Sequence, residues 1–329
     1  MNIQDTKNKK GSGKIRIFPD HFFPKGKKGI VEAQLTWVFI LIVGVIILLF
    51  FIGIAQKQKQ IADMKASANI LQQLDAILTG AEVSSGTSSL IKIPKMELKL
   101  DCNSFSIGGI TKPLKTRVVF SPDLIKGRQL ITYNLDWSVP YRVTNFLYLT
   151  SPEVRYILVG DAEDLDNDLP DVINKEVVYD INNIENININ NYKVKFIFKE
   201  NNNPSQNDFP DLKEEISAIN ILDDQYISFY NDGEWSDSVR YYDTASLLGA
   251  IFAEDQEQYE CAMKKAFEKF NVVTAFYKKR IELLNQLVPQ CNLGNLNLPG
   301  QLDFGKEIPI SDIQFQNDQL QVQSCPTIY

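Results

Sequence analysis

The chain reads as an α+β membrane protein: a long N-terminal transmembrane helix continuing into an amphipathic helix, then a mixed β-sheet ectodomain with a long helix in its final third. Three observations predict this. Leu35–Ala55 is an uncharged apolar run, the middle of the chain holds short alternating or β-branched segments, and from Tyr259 to Val288 the apolar positions fall three or four residues apart.

The span comes first. Ala33–Ala55 is 23 residues, about 34 Å as a helix, against a hydrocarbon core of roughly 30 Å. No second run approaches that length, so one anchor is expected to carry one ectodomain. Lys and Arg are retained on the cytoplasmic side of a span. Eight basic groups precede this one, Lys7 to Lys28, and only Lys57, Lys59 and Lys65 follow closely. Residues 1–29 are therefore expected to be a basic cytoplasmic tail and the C-terminal domain to be extracellular. A cleaved secretory signal has a shorter apolar region and a small-residue cleavage site, and neither is present.

Residues 30–79 are expected to hold the transmembrane helix and its amphipathic extension, because Ile61, Met64, Ala68, Leu71, Leu74 and Leu78 form one stripe with no Gly or Pro before Gly80. The heptad fails at Asp75, so packing on the ectodomain is expected rather than a coiled coil. Residues 80–89, GAEVSSGTSS, read as a linker of small residues.

An α+β ectodomain is expected over 90–291. Its strand candidates are Leu90–Ile93, Met96–Asp101, Arg117–Phe120, Gln129–Trp137, Val154–Val159, Val194–Phe198, Ile216–Leu222, Gln225–Tyr230 and Val239–Tyr242. Ser138 with Pro140 predicts a helix over Val143–Leu149, giving a strand–helix–strand crossover. Asp223-Asp224 predicts an antiparallel hairpin, so the sheet should be mixed. The final helix should end before Pro289, and 292–329 should be a coil tail packed on the ectodomain.

Four cysteines, Cys102, Cys261, Cys291 and Cys325, all fall on the side read as external, the pattern for two disulfides in an oxidising compartment. Three connectivities are open; Cys261–Cys291 with Cys102–Cys325 is favoured, the second stapling the tail. The sole histidine, His21, lies in the tail, so the ectodomain offers no imidazole for a Ser-His-Asp, Cys-His or zinc site. Nucleophile-elbow and phosphate-loop motifs are missing as well. No cofactor and no metal are expected.

Carboxylates alone remain for acid–base chemistry. The densest cluster, Asp161–Asp171, places Asp164, Asp166 and Asp168 at calcium-loop alternation, but Leu169 stands at the glycine position and Lys175 at the closing glutamate, so an EF-hand is rejected. The Asn-rich stretches Asn182–Asn191 and Asn201–Asn207 carry no glycosylation sequon. The first 28 residues, with eight basic and two acidic groups, carry +6 and leave −13 for the rest of a chain whose overall charge is −7. That balance disfavours nucleic acid as a partner of the ectodomain.

Lys27–Trp37, KKGIVEAQLTW, resembles the class III signal of type IV pilins: a basic residue, a glycine, then a long apolar helix. The resemblance implies processing after Gly29, with Lys28, Gly29, Ile30 and Glu32 as the candidate processing site. Pilins carry glutamate five residues past the cut; here Glu32 is the third. The blocks LTWVFILIVGVIILLFFIGIAQKQ, VPYRVTNFLYLT, VRYILVGD, VKFIF and SLLGAIFAEDQEQYECAMKKAFEKF resemble an uncharacterised family of single-span membrane proteins of DPANN-type archaea. That resemblance implies the topology and an archaeal source, and no activity.

The expected function is a single-pass surface protein presenting a non-catalytic ectodomain for recognition or envelope assembly. A type IV pilin-like subunit processed after Gly29 and a membrane-tethered carboxylate-based hydrolase are the alternatives. The bilayer is the expected partner, together with a protein partner or self-assembly through the N-terminal helix.

Overall fold

The apolar run lies in helix α1, Gly29–Val83, of a computed structural model that describes residues 29–180, 192–199, 216–223, 225–231, 233–293 and 296–329, with side chains from Trp37 onward except Asn231. The chain divides into two units, residues 1–61 and 62–329. In the first, the apolar side chains from Trp37 to Ile54 are exposed, and among the described residues α1 is the one helix long and apolar enough to cross a membrane. The expected tail before Gly29, with Lys28, and both Asn-rich stretches lie outside the described residues.

The second unit is α+β with two mixed sheets. Strands β1 (Thr87–Leu100), β2 (Ser104–Ile107), β3 (Ile110–Pro113), β4 (Val118–Phe120), β5 (Leu124–Ser138) and β6 (Arg142–Thr150) form the first sheet, in the order β3-β2-β1-β5-β6-β4. All its pairs are antiparallel except β4 with β6. β3 and β4 stand at opposite edges, yet four residues, Leu114–Arg117, join them. That link spans about 17 Å at most, whereas the edges of six flat strands lie about 24 Å apart. The sheet must therefore curl.

Leu114 sits inside the curl, where Leu71, Leu74 and Leu78 of α1 are buried with Leu98, Leu100, Phe105, Leu147 and Leu149. The buried Arg117 guanidinium fastens the end of α1, bonding Asp75 at 2.6 Å, Thr79 at 2.7 Å and Glu82 at 3.4 Å. Its hydrogen bond holds the Asp75 carboxyl below the usual carboxylate range, against partial burial.

Strands β7 (Val154–Val159), β8 (Asn174–Val178), β9 (Lys193–Lys199), β10 (Ile216–Ile221), β11 (Tyr226–Asn231), β12 (Glu234–Trp235) and β13 (Val239–Arg240) form the second sheet. Its order is β12-β11-β10-β9-β7-β8, with β13 also on β11. β8, β7, β9 and β10 run parallel and β11 returns antiparallel through the hairpin expected at Asp223. A strand–helix–strand crossover is formed by β7, helix α2 (Glu163–Asp168) and β8, later in the chain than the one expected between Trp137 and Val154. Parallel strands buried on both faces read as unbroken apolar runs: Tyr156, Leu158 and Ile197 face the main core, Ile157, Val159, Phe196 and Phe198 the opposite side.

Helices α3 (Thr244–Phe252) and α4 (Gln256–Leu287) pack on the main core. Asp243 caps α3 by accepting from the Ser246 amide at 2.9 Å, and the Ser246 hydroxyl returns to the Asp243 amide. Gly249 lets α3 approach closely: a Cβ there would meet Cζ of Phe120 at 2.8 Å, and that ring is fixed against Phe146, Tyr148 and Tyr259. Gly249→Val is expected to lower the unfolding free energy by about 2 kcal/mol. Adding Phe120→Leu should recover part of that loss; strictly additive losses in urea melts would refute the close approach.

Four expectations are corrected. The helix expected over Val143–Leu149 is strand β6, because it buries alternate residues in two cores, Phe146 and Tyr148 in one, Leu147 and Leu149 in the other. Pro140 lies in the β5–β6 turn instead of a helix start. The 80–89 linker is helix to Val83 and strand from Thr87. Its small polar residues are turn chemistry, Ser85 donating to Asp136 at 2.6 Å and Thr87 to Asn134 at 3.0 Å. Leu90–Ile93 and Met96–Asp101 belong to one strand, whose register shifts between Lys92 and Met96, where Pro94 has no amide to give. Within the expected coil of 292–329, helix α5 (Ile310–Val322) buries Ile313 and Leu320.

Candidate functional site

A cavity lined by five carboxylates opens where the β1–β2 turn meets the first turns of α4. It encloses about 450 Å³, and Asp101, Asp123, Glu254, Asp255 and Glu257 line it beside the Cys102–Cys261 disulfide. Four of the five carboxylates have a local reason to be there. Asp101 closes its turn, accepting from the Asn103 and Ser104 amides at 2.6 Å and from the Ser104 hydroxyl at 2.7 Å. Burial works to raise this carboxyl, but those hydrogen bonds and Lys265 hold it below the usual range. Asp255 is the N-cap of α4, accepting from the Gln258 amide at 2.8 Å.

Asp123 and Glu254 share one ammonium, that of Lys193, at 3.1 and 2.6 Å. They are therefore no further apart than those two bonds laid end to end, close to the separation at which paired carboxyls retain configuration in glycoside hydrolysis. A cation stands between them, however, where a scissile bond would have to lie. Burial works to lower the Lys193 ammonium, yet Glu254 and Asp123 together raise it above the ordinary lysine value. A glycosidase acid needs the reverse, one carboxyl kept protonated beside an ionised partner. Only Glu257 lines the cavity without a structural task stated above.

The acidic stretch Asp161–Asp171 is met by a cation from β8. Lys175 donates to the carbonyls of Asp166 and, at 2.9 Å, Leu169, and its ammonium lies 3.1 Å from an Asp166 carboxylate oxygen. Among the described residues no group of three or more His, Cys, Asp or Glu is placed to hold a metal ion.

All four cysteines are paired, as Cys102–Cys261 with Cα atoms 6.0 Å apart and Cys291–Cys325 at 5.7 Å. The favoured pairing is thereby corrected. Cys261 stands on α4 and Cys291 just beyond its end, about 40 Å away along an unbroken helix, so those two cannot meet. The expectation that a disulfide staples the tail holds, with Cys291 as the partner of Cys325. Gly29, at the candidate cleavage point, is the first described residue, with Ile30 and Glu32 in the opening turn of α1.

Sequence reasoning missed Lys195. It lies on β9, 4% exposed, and donates to the Ala253 carbonyl and, at 3.1 Å, to that of Ala250, closing the C-terminal end of α3. Its ammonium faces the Phe229 ring at 5.6 Å. Burial pushes it down to about 7, against the attraction of Glu254. The signal was a single lysine, second in the otherwise apolar segment VKFIF. The chain matches no protein family model, no curated protein sequence and no solved structure.

Proposed function

We propose that this chain is a single-pass, membrane-anchored surface protein that presents a disulfide-stapled α+β domain outside the cell for recognition or envelope assembly, without catalysis of its own. The observation that carries this reading is the pairing, in one chain, of an exposed apolar helix of spanning length with a domain whose four cysteines all form disulfides. The lysine excess before the span supports a cytoplasmic N-terminus. The carboxylate-hydrolase alternative draws no support from the cavity beside Cys102–Cys261, where the Lys193 ammonium lies between Asp123 and Glu254. The pilin-like form of the reading is supported by Lys28 and Gly29 ahead of the long apolar run that α1 carries.

Topology is tested by treating intact cells with protease and with a membrane-impermeant thiol reagent. The expected result is cleavage within 62–329 and no thiol labelled until a reductant is added. A protected domain, or free thiols without reductant, would overturn the proposal. Intact mass of the mature protein decides its pilin-like form, which requires a start at Ile30; a start at Met1 removes it.

A further inference from the structure

The link that lets the first sheet curl, Leu114–Arg117, passes beside the middle of α4, and the two enclose a cavity of about 510 Å³, within the range of small-molecule sites. Three lysines line it, Lys115 from the link and Lys265 and Lys269 from α4, against one carboxylate, Glu268. Three lysines less one glutamate give the lining +2, in a chain whose residues beyond the first 28 carry −13. Val143 and Val273, partly buried against the main core, and the exposed Val272 supply the apolar part of the wall.

Two features of this cluster work against the fold. Lys265 and Lys269 stand one turn apart on α4, a like-charge pair that opposes the helix. Burial lowers both ammoniums, Lys265 against the attraction of Asp101 and Glu268, and Lys269 against that of Glu82. Two of those carboxylates have other duties: Asp101 is bound to its own turn, and Glu82 lies nearer Arg117, at 3.4 Å, than Lys269, at 3.8 Å. Lys265 donates to the Cys102 carbonyl and Lys269 to the Thr144 hydroxyl at 2.9 Å, both neutral acceptors, whereas an ammonium has three donors. The second feature is Lys115, whose backbone is left-handed at φ 58°, a conformation that crowds a residue with a Cβ and that glycine adopts freely. Leu114 and Arg117 are buried, which fixes the link, and the strain at Lys115 brings a third ammonium to the cavity.

We propose that this cavity binds a doubly charged oxyanion carried on a small apolar body, the chemistry of a phosphate monoester. Lysine acts on phosphate as a compact point charge. A monoester carries close to two negative charges at pH 7 and offers three acceptor oxygens, which matches the charge of the lining and its three ammoniums. The anion relieves the repulsion between Lys265 and Lys269, and the valines cover the apolar body. The headgroup of a lipid phosphomonoester and a soluble phosphomonoester share this chemistry. The site lies wholly within 62–329 and does not rest on which side of the membrane that unit faces.

The test titrates the full chain, in phosphatidylcholine nanodiscs, with phenyl phosphate and with inorganic phosphate by calorimetry. One saturable site for phenyl phosphate is expected, with inorganic phosphate at least about tenfold weaker because it lacks the apolar contact. Lys265→Met and Lys269→Met should each weaken binding about fivefold. Lys279→Met, on α4 but outside the cavity, should leave it unchanged. Lys115→Gly separates binding from folding: it should weaken binding about as much as the other two while the urea midpoint stays at or above that of the parent, because glycine takes φ 58° without strain. Adding phosphatidate to the discs tells the two sources apart. Competition with phenyl phosphate assigns the site to a lipid headgroup, and undisturbed binding assigns it to a soluble ligand. No saturable site, inorganic phosphate binding as tightly as phenyl phosphate, or all four lysine variants behaving alike would each overturn the proposal.

Discussion

Replacing Cys102 and Cys261 together by serine is expected to lower the unfolding free energy by about 5 kcal/mol, because this bridge closes the longer of the two disulfide loops, with 159 residues between its ends. The gain from a cross-link grows with the loop it closes, since the unfolded chain loses the entropy of that loop. This one ties the β1–β2 turn to the second turn of α4 and encloses the whole second sheet, so its removal frees every strand from β2 to β13 in the unfolded ensemble. Cys291→Ser with Cys325→Ser opens a loop of 34 residues and should lose less, about 4 kcal/mol. The order of the two losses is the sharper prediction. Urea unfolding followed through the buried Trp137 reads both, and the denaturant slope should rise in the first variant as its unfolded state expands. A loss below about 1 kcal/mol for the Cys102/Cys261 pair would show that the bridge constrains a region already ordered when the rest unfolds.

The same bridges show where sequence reading stops. Period carried α4: its apolar stripe from Tyr259 to Val288 predicted a helix ending before Pro289, and the helix ends at Leu287. That prediction already ruled out Cys261–Cys291, because a helix has a length as well as a face. Strands with distinct ends, Val154–Val159 and the hairpin at Asp223, were legible for the same local reasons. β6 was not. A strand buried on both sides has no alternation to read, and its residues Val143, Phe146 and Leu147 fall at helical spacing by coincidence. Ser84–Gly86 looked like linker because composition records small residues but not the Asn134 and Asp136 side chains, some fifty positions away, that bind them. α5 was lost because Ile310, Ile313 and Leu320 are too few, among glutamines, to outweigh a coil prior.

The cavity beside Cys102 was illegible for a related reason. Its carboxylates come from three separate stretches of chain, and their significance depends on Lys193, contributed by a fourth.

Stability is expected to rise from pH 7 to pH 9.5 by up to about 3 kcal/mol through Lys195 alone. Its ammonium is buried with Phe229 on one side and the end of α3 on another, and burial pushes it down to about 7, while in the unfolded chain it has the ordinary lysine value of 10.5. Between those values the unfolded chain holds a proton that the folded chain does not, so raising the pH favours folding. Below about pH 7 both states carry the proton and the dependence ends. The neutral amine loses nothing locally, for its two N–H groups match the two carbonyls it meets, Ala250 and Ala253. Charges near it act in both directions: Glu254 and Asp255 favour the ammonium and Lys193 opposes it. The buried phenols Tyr148, Tyr156 and Tyr259 are raised by burial. They reverse the trend near pH 10, where the unfolded chain begins to lose phenolic protons that the folded chain retains, and this sets the upper limit of the window. Lys195→Met keeps the stem and removes the titrating group, so urea midpoints should lose this rise in the variant and keep it in the parent. Equal slopes in the two proteins would mean that Lys195 stays charged in the folded state, held by Glu254 more strongly than burial opposes it.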